Sequence, residues 1–189
     1  MATLTLDTVT KVYKPRRSRP VLSDDAVDMA IEYGQIVGLL GSSGCGKTTT
    51  LRKIAGFEDV TSGDIKVGPR VINTLLPAER NIAMAFEGYA LYPPLRVRDN
   101  IGFALLRDRQ PAAEVNRKVD EVARLWEIES ALERYPPTIS AGQQQRTSLA
   151  RALIRKADVF LLAIPYGARE PYYDALRDRQ AAVYVEKPL

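Results

Sequence analysis

The sequence predicts an α/β fold with a parallel core and a helical subdomain inserted in its middle. Three observations carry this reading. The apolar run Ile36 to Leu40 leads into the glycine-rich stretch Gly41-Ser-Ser-Gly-Cys-Gly-Lys47-Thr48, and a helix-compatible stretch from Thr49 to Ala55 follows it. Strand-like and helix-like segments alternate along the chain, as a parallel sheet requires. From Val97 the texture becomes helical before a last buried strand resumes the core pattern.

Taken in order, Leu4 to Val9 and Ile36 to Leu40 read as strands and Thr48 to Ala55 as a helix. Asp64 to Val67 and Ile82 to Phe86 read as further strands. Val115, Val119, Val122 and Trp126 then recur at helical spacing, after Pro111 and before Tyr135-Pro-Pro137, so Asn100 to Arg134 reads as a helical insertion, within a subdomain at about 95–140. That stripe is ordinary core. Gln143 to Lys156 forms another helix, with an apolar face of Leu149, Leu153 and the small Ala150 and Ala152. It leads into Asp158 to Ile164 as a buried strand.

The glycine-rich stretch carries the chemistry. Glycines let the backbone curl until consecutive N–H groups face phosphate oxygens, and a helix N-terminus adds positive potential. In the spacing G-x-x-x-x-G-K-T, Lys47 reaches the terminal phosphates and Thr48 offers its hydroxyl to Mg²⁺. The stretch therefore predicts a site for a nucleoside triphosphate with Mg²⁺, contributed by Gly41, Ser42, Ser43, Gly44, Cys45, Gly46, Lys47, Thr48 and Thr49. A second anion site is readable further on. Ser140 and the unbonded N–H groups at the start of a helix, with Gly142 permitting close approach, suit an anion; an ordinary capped helix would use the same residues.

Composition narrows the function. With 189 residues, 46% hydrophobic and 26% charged, the chain has enough apolar material for one globular unit and a subdomain. Apolar runs such as Val159 to Pro165 fall short of the roughly 20 residues a bilayer crossing needs. Met1 to Lys11 lacks the charged start and apolar middle of a secretion signal, so a cytoplasmic location is expected. Cys45 is the single cysteine, which excludes a disulfide framework or a cysteine metal cluster. Histidine is absent, and with it the usual general base near neutral pH. The net charge of +4 is modest, and its densest cluster, Lys14 to Arg19, is proline-flanked and loop-like. Without aromatic interleaving or a recognition helix, a nucleic-acid partner is not expected.

The order of motifs resembles the ATP-binding subunit of ABC transporters, in the sugar and glycerol-phosphate importer branch, from about Thr3 to about Leu162. The resemblance implies a P-loop NTPase core with an inserted helical subdomain. Tyr13 stands where that family places an aromatic that stacks on adenine. Met84-Ala-Phe-Glu87-Gly-Tyr-Ala-Leu-Tyr92-Pro resembles the family loop that senses the γ-phosphate, touches Mg²⁺ and docks the membrane subunit. Glu87 replaces the usual glutamine, keeping an oxygen for a hard cation while adding a negative charge; it is a candidate metal and catalytic residue. Ser140-Ala141-Gly142-Gln143 resembles the family signature, with Ala141 in place of a glycine. In the family this site is offered to the ATP of a second copy, so the resemblance implies a homodimer that sandwiches two nucleotides, and transmembrane permease subunits as further partners. The location would then be the inner face of the cell membrane.

The resemblance breaks where the family reads Leu-Leu-Asp-Glu-Pro, with Asp in the Mg²⁺ shell and Glu polarising the attacking water. This chain reads Leu161-Leu162-Ala163-Ile164-Pro165. Asp158 lies five residues upstream, about 17 Å away along a strand. Loss of a positioned base alone costs roughly 10² to 10⁴ in rate, so hydrolysis is expected to be very weak or absent.

The tail at 163–189 departs further and lacks the family's γ-phosphate histidine. With the helix-like Glu170 to Arg179, Ala182-Val-Tyr-Val-Glu186-Lys187-Pro188-Leu189 resembles a stretch of the glucose–fructose oxidoreductase and inositol dehydrogenase family. A solvated chain end is the plainer reading. A junction near Leu162 would preserve a strand, helix and parallel strand while removing the chemistry. Glu186, at the carboxyl end of a strand beside the phosphate site, is a speculative catalytic replacement. Three readings result: an importer ATPase subunit cut short at its C-terminus and impaired in hydrolysis; a non-hydrolysing nucleotide-binding module or non-functional chimeric product; and an NAD-dependent oxidoreductase fragment. The last is disfavoured because Gly41, Gly44 and Gly46 do not form the dinucleotide fingerprint.

Overall fold

A computed structural model describes residues 3–14, 19–39, 42, 44–85, 88–155, 157–163 and 182–186. The chain divides into two compact units, Met1–Met84 with Ala157–Leu189, and Ala85–Lys156.

The first unit holds two sheets. In one, β1 (Leu4–Tyr13) pairs antiparallel with both β2 (Val21–Ile31) and β4 (Ser62–Val67), and β5 (Arg70–Val71) completes the order β2-β1-β4-β5. In the other, β3 (Ile36–Leu39), β8 (Ala182–Glu186), β7 (Val159–Ala163) and β6 (Ile82–Ala85) are neighbours in that order, with β3 and β7 each parallel to β8. Helix α1 (Lys47–Ala55) follows β3 and packs against β7. The core lies among these elements: Leu4, Leu6 and Ile65 from the antiparallel sheet, Leu51 and Ile54 from α1, and Val159 and Leu161 from β7 are all buried.

The expected strands at Ile36 to Leu40, Ile82 to Phe86 and Asp158 to Ile164 share one sheet as β3, β6 and β7, but Leu4–Tyr13 and Ser62–Val67 do not belong to it. They form the antiparallel sheet with β2, a segment to which the sequence reading assigns no element. Asp24, Asp25 and Asp28 lower strand propensity in β2. Pairing overrides that: Asp28 Oδ1 accepts the Thr8 amide at 2.6 Å, and Asp24 is buried against α1. Register shifts flank Thr8, whose φ is +49°, and the bulge fits because Gly63 has no side chain; a Cβ there would lie 2.4 Å from the Thr8 carbonyl oxygen.

Helix α1 ends at Gly56, left-handed at φ +85°, where backbone N–H groups take the Arg52 and Lys53 carbonyls and Arg80 reaches those of Lys53 and Ile54. The buried Arg80 guanidinium donates to the carbonyls of Lys53 (2.7 Å), Ile54 (3.0 Å), Asn73 (2.9 Å) and Leu75 (3.0 Å). One cation thereby serves the negative end of the helix and the loop beyond β5.

The second unit is helical: α2 (Val97–Arg107), α3 (Ala112–Leu125) and α4 (Ala141–Leu153) pack on one another. Val115, Val119 and Val122 are buried on α3, and Trp126 is buried just past its end. Gly102 permits the close approach of α2 to α3, because a Cβ there would lie 2.9 Å from Val115 Cγ1. Asn100, fully buried, accepts the Tyr92 amide at 2.7 Å and donates to the carbonyls of Tyr92, Leu95 and Arg96, fixing the loop that precedes α2. Among the described residues no helix is long and apolar enough to cross a membrane.

Replacing Arg80 with Met should cost about 2–4 kcal/mol, because it strands buried carbonyls that accept from a charged donor. Urea unfolding checks this. A loss under about 0.5 kcal/mol would show that the guanidinium is dispensable.

Candidate functional site

The phosphate loop lies where strand spacing and glycine geometry require it, between β3 and α1. Gly44 and Gly46 adopt φ +81° and +97°, conformations that side chains resist, and Gly46 is the N-cap residue of α1. Helix α1 carries no acidic residue of its own in its first turn, and Thr50 N to Gly46 O at 2.9 Å is an early bond of the helix. Lys47 is buried at 8% exposure. Its ammonium turns back into the loop, donating to the Ser42 carbonyl at 2.8 Å and approaching Cys45 Sγ at 3.5 Å. Ser42, Cys45 and Thr48 are exposed and Thr49 is half-buried. Gly41 and Ser43 lie outside the described residues.

Such an arrangement fits a polyphosphate. It offers an ammonium, helix-terminal N–H groups and a Thr48 hydroxyl, in a loop whose left-handed glycines exclude side chains. Its fit to Mg²⁺ is thinner, because Thr48 is the one predicted metal ligand that is described. Among the described residues no group of three or more acidic, histidine or cysteine side chains could hold a metal ion. Glu87 lies outside the described residues.

A polar cluster beneath the loop was missed by the sequence reading. Asp24 of β2, 7% exposed, accepts from Thr50 Oγ1 at 2.7 Å through Oδ1, and its Oδ2 stands 3.0 Å from Lys53 Nζ. Lys53 is fully buried, and its ammonium has no aligned hydrogen-bond acceptor beyond this ion pair. Burial depresses the Lys53 pKa, and the Asp24 carboxylate opposes that depression. The signal available in the sequence was Lys53 itself: between Leu51 and Ile54 in a short core helix, a lysine needs an acidic partner from elsewhere.

Tyr13 closes β1 and is 36% exposed. Lys11 Nζ lies 4.9 Å from its ring centroid while donating to the Asp59 carbonyl at 2.7 Å and pairing with Glu58 at 3.5 Å. One ring face thus bears a cation. Tyr13 pairs with Val21, and two residues along the same strand Ser23 meets Gly46, so Tyr13 belongs to the strand pair on which the loop rests.

Ser140 to Gln143 belong to the helical unit. Ser140 is the N-cap residue of α4: its Oγ accepts the Gln143 amide at 3.2 Å, and Gln143 Oε1 accepts the Ser140 amide at 3.1 Å. Ala141 and Gly142 are exposed, and a Cβ on Gly142 would meet nothing within 4 Å. The capping box thus satisfies the Gln143 amide at the start of α4.

At the end of the parallel sheet, Glu186 is in register with both Leu39 and Ala163. Its backbone stands between the strand that feeds the phosphate loop and the strand that ends without carboxylates, about 4.8 Å from each. Ile164, the segment Glu170 to Arg179, Lys187 and Pro188 lie outside the described residues.

Comparison with known proteins agrees with this geometry. The ABC transporter family model matches residues 25–163. The diacetylchitobiose uptake system ATP-binding protein of Streptomyces coelicolor is 44% identical over 165 residues, covering 87% of this chain and 43% of that protein. An sn-glycerol-3-phosphate import ATP-binding protein of Agrobacterium fabrum is 50% identical over 139 residues, covering 74% of this chain and 37% of that protein. The chain thus spans less than half the length of these relatives. Among solved structures, the ATP-binding cassette MJ0796, a dimer in a post-hydrolysis state bound to ADP and phosphate, superposes with a TM-score of 0.84 at 25% identity, covering 97% of this chain and 87% of that one. With its phosphate loop, inserted helices and matched family model, the chain belongs to the ABC transporter family, as an ATP-binding domain.

Proposed function

We propose that this chain binds Mg-ATP at the loop around Lys47, as the ATP-binding subunit of a carbohydrate or glycerol-phosphate importer, and hydrolyses it very weakly or not at all. The observation that carries the reading is the loop itself: Lys47 in its mouth, Gly44 and Gly46 left-handed, and α1 opening beneath it. Lys47 neutralises charge on the terminal phosphates, the N–H groups of α1 orient them, and the partly exposed Tyr13 ring offers a stacking surface to the base. Mg²⁺, when bound, would offset the negative charge of the phosphates. Thr48 would supply one ligand to it and Glu87 a second.

A second copy of the chain and a pair of permease subunits are the partners this reading requires, at the inner face of the membrane. The names of the relatives support the importer class, and the dimeric state of the superposed cassette supports pairing of two copies. Permease docking is supported by an exposed aromatic pair in the helical unit, Tyr92 and Phe103, whose ring centroids lie 4.8 Å apart beside the exposed Leu106. Weak turnover follows from Ala163 and Ile164, which leave no carboxylate at the end of β7 to hold metal or polarise water. The register of Glu186 favours one alternative, in which that residue supplies the lost carboxylate from the adjacent strand.

Calorimetric titration of the purified chain with Mg-ATP should show binding that Lys47→Ala abolishes without lowering the melting temperature. Binding that survives the substitution would sink the reading. Tyr13→Ala should weaken ATP roughly 5- to 100-fold, the worth of one stacked base, while tripolyphosphate competes as before. Equal weakening of both ligands would remove Tyr13 from the base site. Steady-state phosphate release should be near background, and Ala163→Asp with Ile164→Glu should raise it at least about 100-fold. No rise would locate the defect elsewhere. Any residual Lys47-dependent turnover should vanish in Glu186→Gln if Glu186 is the base, and an unchanged rate would exclude it.

A further inference from the structure

We propose that Asp24 is a positioning residue for the phosphate loop: by gripping Thr50 and Lys53 at once, its carboxylate fixes the rotation and height at which α1 presents Lys47 and Thr48 to a polyphosphate. The proposal rests on the reading of that loop as a triphosphate site.

Thr50 and Lys53 are three residues apart, so they share one face of α1, and Lys47 lies on that face one turn nearer the N-terminus. A single carboxylate meets both side chains, at 2.7 Å and 3.0 Å, with all three residues at least nine-tenths buried. Thr50 Oγ1 also reaches the Gly46 carbonyl at 3.2 Å, which ties the same cluster to the hinge of the loop. The strand makes a second contact there. A Cβ on Gly46 would lie 2.9 Å from the Ser23 carbonyl oxygen and 3.5 Å from Asp24 Oδ1, so β2 presses directly on the residue where the loop becomes helix.

Stability alone does not account for a charged pair in this place. An ammonium and a carboxylate taken out of water hold two elements together no better than a well-packed apolar pair of the same volume, and often less well. What they add is direction. An apolar contact tolerates a helix that slides by a fraction of a turn, whereas a carboxylate shared between a hydroxyl and an ammonium is satisfied in one register. A displacement of about 1 Å at a site that must contact several phosphate oxygens together is enough to lose most of its benefit.

The test separates holding the helix from aiming it. Asp24→Leu with Lys53→Met replaces the ion pair by an apolar pair and leaves no orphaned charge, and Thr50→Val removes the hydroxyl while preserving shape and the ion pair. Mg-ATP is titrated calorimetrically into each purified full chain, well below its melting temperature. The double variant should melt near the unaltered chain yet bind Mg-ATP at least 10-fold more weakly, and Thr50→Val should weaken binding several-fold with little change in melting. Wild-type affinity in either variant overturns the proposal; if the double variant does not fold, Thr50→Val decides it alone. The Lys47→Ala control keeps the two readings apart. Absence of Lys47-dependent binding in the unaltered chain defeats the triphosphate reading and this proposal with it, whereas Lys47-dependent binding indifferent to Asp24 and Thr50 defeats this proposal only.

Discussion

Helix α1 begins where the chain bends left-handed at Gly46, and at that point there is room for a hydrogen and nothing larger beside the Ser23 carbonyl. Much of the first unit follows from this contact. β2 must lie close enough to press on the loop, β1 must bulge at Thr8 to keep β2 and β4 paired on its two edges, and Gly63 must lack a side chain for the bulge to fit. The polar cluster of Asp24, Thr50 and Lys53 then occupies the seam between strand and helix. Close approach at two glycines, Gly46 against β2 and Gly63 against β1, thus accompanies the register of the antiparallel sheet.

The opposite end of α1 is governed by electrostatics. Carbonyls left over at a helix C-terminus attract a cation, and Arg80 answers with a planar, multiply donating group that a lysine could not imitate. The helix therefore has complementary ends: a first turn with no acidic residue of its own, and a C-terminus whose Lys53 and Ile54 carbonyls accept from a buried guanidinium. The remaining asymmetry lies in the parallel sheet, where β7 buries the apolar Val159 and Leu161 in the core and closes on Ala163, with Ile164 next in the sequence and no acidic residue at either position. The residues that pack β7 into the core are thus separate from those at its end.

How much was legible from residues alone varied with the range of the interaction. The strand, loop and helix around Lys47 were readable because the signal is local: glycine spacing, an apolar run before and a helical pattern after. The stripe of Val115, Val119 and Val122 was readable for the same reason, as a helix repeats every few residues whatever it packs against. β2 was not. Its three aspartates argue against a strand until their partners are known, and those partners, the Thr8 amide for Asp28 and α1 for Asp24, are about twenty residues or more distant in sequence. Ser140 was legible as a cap, since the capping box is complete within four residues.

By itself the sequence determined the phosphate loop, the α/β class, the helical insertion and the absence of acidic residues at 163 and 164, because each depends on residue types at short spacing. Only the tertiary structure decided that the first and fourth strands leave the parallel core for an antiparallel sheet, that Asp24 and Lys53 meet, and that the backbone of Glu186 falls in register between Leu39 and Ala163. These are pairings between distant segments. Hydrogen bonding, burial and charge compensation fix such pairings once the chain has folded, and no local pattern encodes them.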